Sequence, residues 1–581
     1  MYAQVRIISR LFSLSLFKIG EMKKLLLKYI IVSIFLSAAA SVVKAQTWAW
    51  AKSSGGTGGG QDGSSVNTDV AGNIFIAGAF YSPTIIFDTY TLNNAGNYDG
   101  FITKYNSVGN VIWTKSFGGV GQDLCYSVCT DINGNAFITG YFSSPTITFG
   151  SYTLTNNGSQ NVYITKFDSN GNVLWAKSAI GSGNDCAYSI STDGSGNSII
   201  TGYFGSPTII FGAYTLTNTG SSSIFIVKYD PNGNVLWAKS SIGSSWDNGY
   251  SVSTDAAGNI FSTGSYSGAT ITFNTFTLAN IGGTDGFITK YDSNGNALWA
   301  KTIGGVSLET GLSVCTDAIG DAIVTGYFQT PTISIGSFTL TKTGNKSMFL
   351  AKYNSNGSVI WATTPISSGG TPGEDVPYSV SSYSGNIFVT GKIGSPIMTF
   401  GTYTLSPPAG IDNMFIALYD LNGNVIYATF LRGGGDDENA VSIDRFCNVY
   451  VTSDFSQSPL IVGTNTLTNP GNDRVFTAKL SFTNNCQPLP DGLSQYSSAA
   501  ADNSQYTLFP NPNSGFFKIQ IDNEIKNGEL ILINSLGQKV FEKKIFQGEN
   551  NIRATGLSSG LYNCILLQDN RQMSCSKLSI E

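Results

Sequence analysis

The feature that most constrains this chain is a repeat with a period of about 62 residues. The phrase N-V-L-W-A-K and close variants of it occur seven times, and the intervals between their aromatic residues are 63, 62, 62, 62, 62 and 66 residues. The aromatic residues are Trp50, Trp113, Trp175, Trp237, Trp299, Trp361 and Tyr427. A fixed period of this size indicates that one supersecondary unit is repeated and buries its apolar face against its neighbours.

Each repeat contains four short runs of β-branched and aromatic residues, which predict four strands. In the third repeat these runs span 188–192, 198–204, 225–229 and 235–239. The phrases D-G-S-G-N and D-P-N-G-N between them supply the glycines and Asx caps that tight hairpins require. An insert at 206–218 predicts an additional hairpin that turns near Gly212.

Seven such units predict an all-β fold, a seven-bladed β-propeller in which each blade is one four-stranded sheet. The last unit ends at 476–480 without a Trp-bearing strand, while an orphan copy of that strand stands at 47–52. If the orphan strand completes the last blade, every sheet is filled and the ring closes. The alternative, an open β-solenoid, leaves a partial blade at each end.

The repeated phrases G-N-I-F-I-T-G, F-I-T-K-Y-D-x-N-G-N and N-V-L-W-A-K-S resemble the SBBP repeats, which are named after a seven-bladed β-propeller. The resemblance covers residues 47–483. It implies the propeller fold and an extracytoplasmic setting, and it implies no activity, because the family has no general assigned one.

The first 45 residues predict a leader. Two lysines, an apolar run and small residues that end at Ala45 form the pattern of a secretory signal peptide over 22–45. Residues 1–21 stand upstream of a better start at Met22. An uncleaved anchor needs about 20 uninterrupted apolar residues, so we expect cleavage and no integral membrane span afterwards.

The period stops before a polar linker at 484–504, and residues 505–581 follow as a separate domain. Alternating apolar residues such as Phe517, Ile519 and Ile521 predict a small β-sandwich. The phrases P-N-P-N-S-G, L-G-Q and L-S-S-G-L-Y resemble the type A C-terminal sorting domain of the type IX secretion system of Bacteroidetes. The residues that carry this sorting motif are Pro510, Asn511, Pro512, Gly515, Gly537, Gly560 and Tyr562. The resemblance implies the type IX machinery as a partner and release from the cell or attachment to its outer surface.

Composition excludes several classes of function. Lys and Arg number 32 against 37 Asp and Glu, a formal net charge of −5, so we expect no nucleic-acid partner, which would need clustered cations. The chain has no histidine, which excludes a Ser/His/Asp triad, a histidine general base and a histidine metal ligand. No other catalytic motif is present in the sequence, and we therefore expect a protein that is not an enzyme.

One acid recurs five residues before the inner-strand valine or isoleucine of each repeat, with Asp62 one place closer. The series is Asp62, Asp123, Asp185, Asp247, Glu309, Asp375 and Asp436. A ring of carboxylates at a channel mouth is a candidate site for a polar ligand or for calcium. In the alternative interpretation, which the regular recurrence favours, each acid accepts loop N–H groups and fixes the turn between blades. We expect no cofactor unless calcium fills this ring.

These patterns predict a secreted or surface-displayed propeller that acts as a binding or adhesion module, with a glycan or a surface protein as its ligand. One alternative is an extracellular polysaccharide hydrolase or lyase, in which paired carboxylates supply acid and base. Another is a purely structural component of a surface layer. Aromatic residues in the hairpin inserts, such as Phe211 and Tyr214, either form a rim for glycans or pack each hairpin onto its own blade.

Overall fold

All regular structure in the described part of the chain is β-strand. The computed structural model describes residues 46–368, 373–408, 413–434, 439–456, 458–469, 472–482, 506–509, 516–521, 528–533, 539–554, 557, 560–568 and 571–580. None of these residues belongs to a helix of the length and hydropathy needed to cross a membrane. The predicted leader at 1–45 and the predicted linker at 484–504 lie outside the described residues. The fold is therefore all-β, as the sequence predicts.

Residues 46–482 form seven antiparallel four-stranded sheets in the described ranges, which we number in chain order. Sheet 1 contains Gln61–Thr68, Ile74–Phe80, Asp99–Tyr105 and Val111–Phe117. Sheet 2 contains Asp123–Thr130, Ala136–Phe142, Asn161–Phe167 and Val173–Ser178. Sheet 3 contains Asp185–Thr192, Ser198–Phe204, Ser223–Tyr229 and Val235–Ser240. In each sheet the first to fourth strands are hydrogen-bonded neighbours in this order. We use repeat 1 to repeat 7 for the chain segments that begin with the first strands of sheets 1 to 7.

The remaining sheets follow the same order. Sheet 4 contains Asp247–Thr254, Ile260–Tyr266, Asp285–Tyr291 and Ala297–Ile303. Sheet 5 contains Glu309–Thr316, Ala322–Phe328, Ser347–Tyr353 and Val359–Thr363. Sheet 6 contains Val376–Tyr383, Asn386–Ile393, Asn413–Asp420 and Val425–Arg432. Sheet 7 contains Ala440–Ile443, Val449–Phe455, Arg474–Phe482 and the N-terminal strand Gln46–Ser53. The orphan N-terminal strand thus completes the last sheet, as the strand count of the sequence predicts.

Turn chemistry explains where the strands end. Between the first and second strands of sheet 3, the Asp193 carboxylate accepts the backbone N–H groups of Ser195 and Asn197 at 2.9 and 3.0 Å. Gly196 in this turn has a φ of 78°, and Gly233 in the turn before the fourth strand has a φ of 82°. Glycine adopts this left-handed conformation without the steric penalty that a side chain brings. The recurring D-x-x-G-N phrases are therefore the hairpin turns of the sheets.

The insert between the second and third strands forms an additional hairpin. In repeat 3, Thr208–Phe211 pairs with Tyr214–Thr217 across a turn at Gly212, which confirms the sequence prediction. Equivalent hairpins are Thr84–Phe87 with Tyr90–Asn93, Thr146–Phe149 with Tyr152–Thr155, Thr270–Phe273 with Phe276–Ala279, Thr332–Ile335 with Phe338–Thr341, Ile397–Phe400 with Tyr403–Leu405, and Leu460–Val462 with Asn465–Leu467. In four repeats a short strand from the preceding connection pairs with the hairpin. These short strands are Gly55–Thr57, Ile180–Gly181, Ile242–Gly243 and Ile366–Ser368.

Each hairpin packs on its own sheet and covers the outer edge. Phe211 is buried with its ring centroid 5.0 Å from that of Phe225 in the third strand. The Tyr214 hydroxyl donates a hydrogen bond to the backbone oxygen of Leu236 in the fourth strand at 2.6 Å. The fourth strand is an edge strand of the sheet, and an edge that a hairpin covers is a poor template for pairing with other chains. The geometry agrees with the interpretation that the insert aromatics pack each hairpin onto its own sheet.

The first strands form a closed series. Each contacts the first strand of the next sheet, and the first strand of sheet 7 contacts that of sheet 1. Serine and threonine side chains connect them, since Ser127 Oγ accepts the Ile190 N–H at 3.3 Å and Ser189 Oγ accepts the Val252 N–H at 3.1 Å. Thr68 of sheet 1 donates to the Ile443 carbonyl of sheet 7 at 3.5 Å. Residues far apart in the chain are thus joined in the same way as neighbouring repeats.

A second contact joins neighbouring sheets at the turns that follow the first and third strands. In sheet 3, the Lys228 ammonium lies 2.9 Å from the Asp193 carboxylate and is only 4% exposed. Lys228 Nζ and Trp237 Nε1 both donate to the Ser293 carbonyl of sheet 4, at 3.2 and 3.1 Å. The Trp237 ring covers Gly295 so closely that a Cβ at Gly295 would lie 2.9 Å from it. We call this arrangement the latch.

The latch recurs around the ring. Its buried ion pairs are Lys104 with Asp69, Lys166 with Asp131, Lys228 with Asp193, Lys290 with Asp255, and Lys352 with Asp317 and Asp321. At the junction of sheets 7 and 1, Lys479 Nζ and Trp50 Nε1 both donate to the Ser107 carbonyl, at 3.2 and 3.3 Å. Sheet 6 departs from the pattern, with Tyr383, Leu418 and Tyr427 at the positions of the aspartate, lysine and tryptophan. The third-strand lysines of sheets 1 to 5 are therefore buried ion-pair partners.

The C-terminal residues form two further sheets. The first pairs Tyr506–Phe509, Phe516–Ile521 and Gly548–Arg553, and the second pairs Lys539–Ile545, Gly528–Ile533, Gly560–Gln568 and Arg571–Ile580. Phe517 and Ile519 of the first sheet belong to the same buried cluster as Leu530 and Leu566 of the second. The apolar alternation in the sequence thus faces a core that both sheets share.

Removal of one latch partner tests its contribution to stability. We expect Lys228→Met to lower the free energy of unfolding by about 3–5 kcal/mol, because it leaves the buried Asp193 carboxylate without its counter-charge. Adding Asp193→Asn restores part of this loss. Denaturant unfolding measures both effects, and Lys301→Met, at an exposed position of sheet 4, is the control. Equal losses in Lys228→Met and Lys301→Met contradict a stabilising role for the latch.

Candidate functional site

The recurring acids lie at the start of the first strands. Asp123, Asp185, Asp247 and Glu309 are the first residues of theirs, and Asp375 directly precedes its strand. All five are fully buried. Asp436, the last acid in chain order, lies outside the described residues. We call this end of the sheets, where each fourth strand connects to the next first strand, the acid end.

Asp123 shows how such an acid is held. Its carboxylate accepts the Gly119 N–H at 2.7 Å and the Ser144 hydroxyl at 2.6 Å. It also accepts the backbone N–H groups of Ser143 and Ser144, both at 3.1 Å. Gly119 belongs to the connection from sheet 1, and the two serines follow the second strand of sheet 2. The acid thus ties the connection between sheets to the loop beside it.

Three other acids of the series use a hydroxyl residue at the corresponding position. Asp185 accepts the Ser206 hydroxyl at 2.7 Å, and Asp375 accepts the Ser395 hydroxyl at 2.7 Å. Glu309 accepts the Thr330 N–H at 3.1 Å. Burial raises the pKa of all three carboxyl groups. This geometry is the one that a structural role in the turns requires.

In repeat 1 the structure places Gln61, not Asp62, at the position of these acids. Gln61 stands opposite Phe80, as Asp123 stands opposite Phe142. It is fully buried, and its Nε2 donates to the Ser82 hydroxyl at 3.1 Å. Asp62 is the next residue along the strand. In repeats 1, 2, 3 and 5 a serine or threonine stands 21 positions after the residue at this site. Counting back 21 positions from Ser82 gives Gln61, so this spacing is the sequence signal that identifies it.

Asp247 differs from the other acids because neither of its carboxylate oxygens has a hydrogen-bond partner among the described residues. Gly268 stands where the other repeats have serine or threonine, and the Gly243 N–H donates to Thr219 Oγ1 at 3.0 Å. Burial therefore raises the pKa of Asp247 to about 7. A buried carboxyl with a perturbed pKa is a candidate functional group as well as a source of instability.

The neighbouring strand ends of sheet 4 also depart from the repeat. Tyr266 replaces the phenylalanine of sheets 1, 2, 3, 5 and 7, and its hydroxyl lies 3.1 Å from Thr302 Oγ1. The same hydroxyl donates to the Ala279 carbonyl at 3.0 Å. Asp285 begins the third strand, as Asp99 does in sheet 1, and burial raises the pKa of both. Repeat 4 thus departs from the other repeats at Asp247 and at Tyr266.

The connections at the acid end expose large apolar side chains. Val120, Trp246 and Val306 are 74%, 61% and 70% exposed, and Ile180, Ile242 and Ile366 are also exposed. The sheets hold the ends of these connections in place, while the side chains face solvent. An array of exposed apolar groups on a rigid scaffold is typical of an interaction surface.

A row of tyrosines on three first strands is absent from the sequence predictions. The Tyr188 ring centroid lies 5.2 Å from that of Tyr126 and 5.4 Å from that of Tyr250. Each residue is half-buried and stands three positions after the acid of its strand. Ser64, Leu312 and Asn439 occupy this position in repeats 1, 5 and 7. The fixed offset from the acid is the signal that identifies this row.

The described residues contain no group of three or more Asp, Glu, Cys or His side chains that could hold a metal ion. Of the sorting motif, Pro510, Asn511, Pro512, Gly515 and Gly537 lie outside the described residues. Gly560 begins a strand of the second C-terminal sheet, and Tyr562 is buried opposite Leu578. The described part of the motif therefore belongs to the framework of the C-terminal domain.

Comparison with known proteins assigns the C-terminal residues. Residues 507–581 match the family described as "Secretion system C-terminal sorting domain". The protein is therefore exported by the type IX secretion system, to the cell surface or into the medium. This confirms the localisation and the partnership with the secretion machinery that the sequence predicts.

One curated protein is also similar to this chain. The uncharacterized WD repeat-containing protein L264 of Acanthamoeba polyphaga mimivirus is 25% identical over 502 residues, which cover 68% of this chain and 35% of that protein. This chain thus spans about a third of the length of that relative.

Solved structures show weaker likenesses. A fungal alcohol oxidase of the AA5 family in complex with copper is 12% identical, with a TM-score of 0.28 over 78% of this chain and 95% of that chain. PorZ, a surface component of the type IX secretion system of Porphyromonas gingivalis, is 8% identical, with a TM-score of 0.14 over 91% and 100% of the two chains. TM-scores this low support no argument about fold or activity.

The unpartnered carboxyl of Asp247 predicts a dependence of stability on pH. Its folded pKa of about 7 exceeds the ordinary value of 3.8, so between these values the folded state binds more protons and stability falls as pH rises. We expect Asp247→Asn to unfold like the wild type at pH 4 and to be more stable at pH 8 by roughly 1–3 kcal/mol, the cost of a buried unpaired group. Denaturant unfolding at both pH values measures this.

Asp123→Asn is the matched control. Its carboxylate accepts four hydrogen bonds, so we expect this substitution to lower stability at pH 8. A loss of stability at pH 8 in Asp247→Asn as well contradicts the assignment of Asp247 as an unpartnered acid.

Proposed function

We propose that this protein is a secreted or surface-displayed seven-bladed β-propeller that acts as a binding or adhesion module. Residues 47–483 form the propeller, and residues 505–581 form a β-sandwich that the type IX secretion system recognises. The closed series of first-strand contacts supports the blade count. The buried cluster that both C-terminal sheets share supports the sandwich. The ligand is a glycan or a surface protein of another cell or matrix.

The exposed apolar side chains of the acid end carry this proposal. Large exposed apolar patches on a soluble protein mark sites of interaction, and these side chains recur on the same end of the sheets. Val120, Trp246 and Val306 stand on connections whose ends are fixed by neighbouring sheets. A rigid surface of this kind binds without a large loss of conformational entropy.

A second candidate function is hydrolysis or elimination on an extracellular polysaccharide. The observation that favours it is the pair of acids at neighbouring first strands, Asp247 and Glu309, whose pKa values are both raised by burial. A carboxyl with a raised pKa is suited to act as a general acid. Calcium at the acid ring remains a prediction of the sequence, as does a purely structural role in a surface layer.

A binding panel with an assay for released sugars separates these functions. The secreted protein is applied to immobilised glycans and matrix proteins, and soluble sugar is measured in the same wells. We expect retention on at least one ligand without product, because exposed apolar groups favour binding. Retention is expected to fall by about tenfold or more in the triple variant Val120→Ser, Trp246→Ser, Val306→Ser, since each substitution removes apolar contact area.

The control variant carries Val108→Ser and Ile132→Ser, two exposed positions in turns at the opposite end of the strands. This variant is expected to bind like the wild type. Equal loss in both variants places the binding surface elsewhere. Release of sugar assigns the protein to the enzyme class, and absence of both binding and product favours a structural role.

Removal of the sorting domain tests the role of the C-terminal sheets. We expect a chain that ends at residue 504 to accumulate in the periplasm, because the secretion machinery recognises residues 505–581. Cell fractionation and labelling of surface proteins measure this. A chain with Val108→Ser and intact C-terminal residues is the control and is expected outside the cell. Normal surface display of the truncated chain contradicts the sorting role.

A further inference from the structure

The acid end of repeat 1 carries two tyrosines that the other repeats lack. Tyr81 follows the second strand of sheet 1 and is 52% exposed. Tyr98 precedes the third strand and is half-buried, and the centroids of the two rings lie 5.3 Å apart. Each stands at a position where none of the other six repeats has an aromatic residue. The tyrosine pair is therefore a local departure from the repeat and not part of its common framework.

Gly60 leaves open the space beside these rings. Its carbonyl accepts the Tyr81 N–H at 2.9 Å. Apart from its chain neighbours, the only described atom within 4 Å of a Cβ at Gly60 would be Asp473 Oδ2, at 3.9 Å. In repeats 2 to 6 a larger side chain stands at this position, namely Gln122, Asn184, Trp246, Leu308 and Glu374. We define the gap as the space bordered by Gly60, Tyr81, Tyr98 and Asp473.

The surroundings of the gap are acidic. Asp473 precedes the third strand of sheet 7, is partly exposed, and makes no ion pair in the described residues. Burial raises the pKa of Tyr98, and the carboxylates of Asp62 and Asp473 raise it further. Arg474, the next residue, is buried, and its guanidinium donates to the Gly56 carbonyl at 2.7 Å. Two carboxylates therefore act on the tyrosine pair, while the neighbouring arginine is not available at the surface.

The junction of sheets 5 and 6 shows which group fits such a place. There Lys346 stands at the position of Asp473, and Glu374 stands at the position of Gly60. The Lys346 ammonium lies 2.9 Å from the Glu374 carboxylate and 5.0 Å from the centroid of the Tyr327 ring. An ammonium in this position is attracted both by the carboxylate and by the negative face of the ring. In repeat 1 the carboxylate and the rings are present, and the described residues supply no ammonium.

We propose that the gap binds a lysine side chain of a protein partner. The ammonium lies between the Asp473 carboxylate and the two tyrosine rings, and the alkyl stem of the lysine lies over Gly60. This inference rests on the proposed function, since it names a lysine of a surface protein as a group that the acid end recognises. Complementary charge selects a cationic partner over a neutral one, and tyrosine faces add to the attraction.

The test uses the secreted full-length protein and two short peptides, acetyl-Gly-Lys-Gly-amide and a neutral counterpart with norleucine in place of the lysine. Ligand-observed NMR titration at low salt measures each dissociation constant. We expect the lysine peptide to bind about fivefold or more tightly than the norleucine peptide. This preference is expected to shrink at about 0.5 M salt, because salt screens exposed charges. Asp473→Asn and Tyr81→Ser are each expected to remove most of it.

Glu374→Gln is the matched control for charge. It also removes one negative charge from the acid end, but at a junction where Lys346 already pairs with that acid, so it is expected to bind like the wild type. Gly60→Gln is the decisive variant, because it supplies the side chain that repeat 2 has at this position in Gln122. Gly60 has no positive φ and its surroundings are open, so this variant is expected to fold. It is expected to lose the preference for lysine, since the amide fills the gap.

Three outcomes overturn the proposal: equal binding of the two peptides, equal losses in Asp473→Asn and Glu374→Gln, or binding by Gly60→Gln like that of the wild type. The triple variant at Val120, Trp246 and Val306 leaves the gap intact and is expected to bind the lysine peptide normally. Retention on the panel of glycans and matrix proteins without a preference for lysine refutes this proposal alone. Lysine binding without retention on the panel refutes the proposed function alone, so the two failures are distinguishable.

Discussion

The structure depends on the buried latch between neighbouring sheets. In the latch, a lysine on the third strand forms an ion pair with an aspartate in a turn of the same sheet. The lysine and the tryptophan of the fourth strand both donate a hydrogen bond to one carbonyl of the next sheet. The carbonyl belongs to a turn whose glycine lies under the tryptophan ring. A buried ion pair contributes little net stability unless its remaining donors are satisfied. Here the carbonyl of the next sheet accepts a hydrogen bond from the lysine ammonium. The ion pair therefore contributes its full stability only when the neighbouring sheet is in place.

This requirement also links the two ends of the repeat region. The N-terminal strand supplies Trp50, and the last third strand supplies Lys479, so the final latch forms only when both ends of the repeat region meet at Ser107. Sheet 6 supports this interpretation. It lacks the aspartate, the lysine and the tryptophan together, and the D-x-N-G-N turn that would receive their contact in repeat 7 is absent from the sequence as well. The members of the latch are therefore retained or lost as a group.

Periodicity in the sequence was sufficient to predict the sheets, the hairpins and the completion of sheet 7 by the N-terminal strand. Each of these depends on local turn chemistry or on counting strands. The latch was not predictable, because Asp193 and Lys228 are 35 positions apart and meet only through strand register. The acid of repeat 1 was misplaced for a related reason: the buried position accepts the amide of Gln61 as well as a carboxylate. Asp247 has no hydroxyl partner among the described residues because Gly268 stands where other repeats have serine or threonine. The sequence alone did not show that this loop position lies beside the acid.

The two ends of the strands thus differ in how much their residues vary between repeats. Outside sheet 6, the latch end repeats with little variation, because each change there breaks a contact with a neighbouring sheet. Among the described residues the acid end varies: Asp247 has no hydrogen-bond partner, Tyr266 replaces phenylalanine, and glycines stand in place of a pairing strand near Val120. Such changes are tolerated because the first-strand contacts and the latches hold the ring together independently of them. A repeat protein built in this way can alter its connections one repeat at a time, and sites for ligands are expected where one repeat departs from the others.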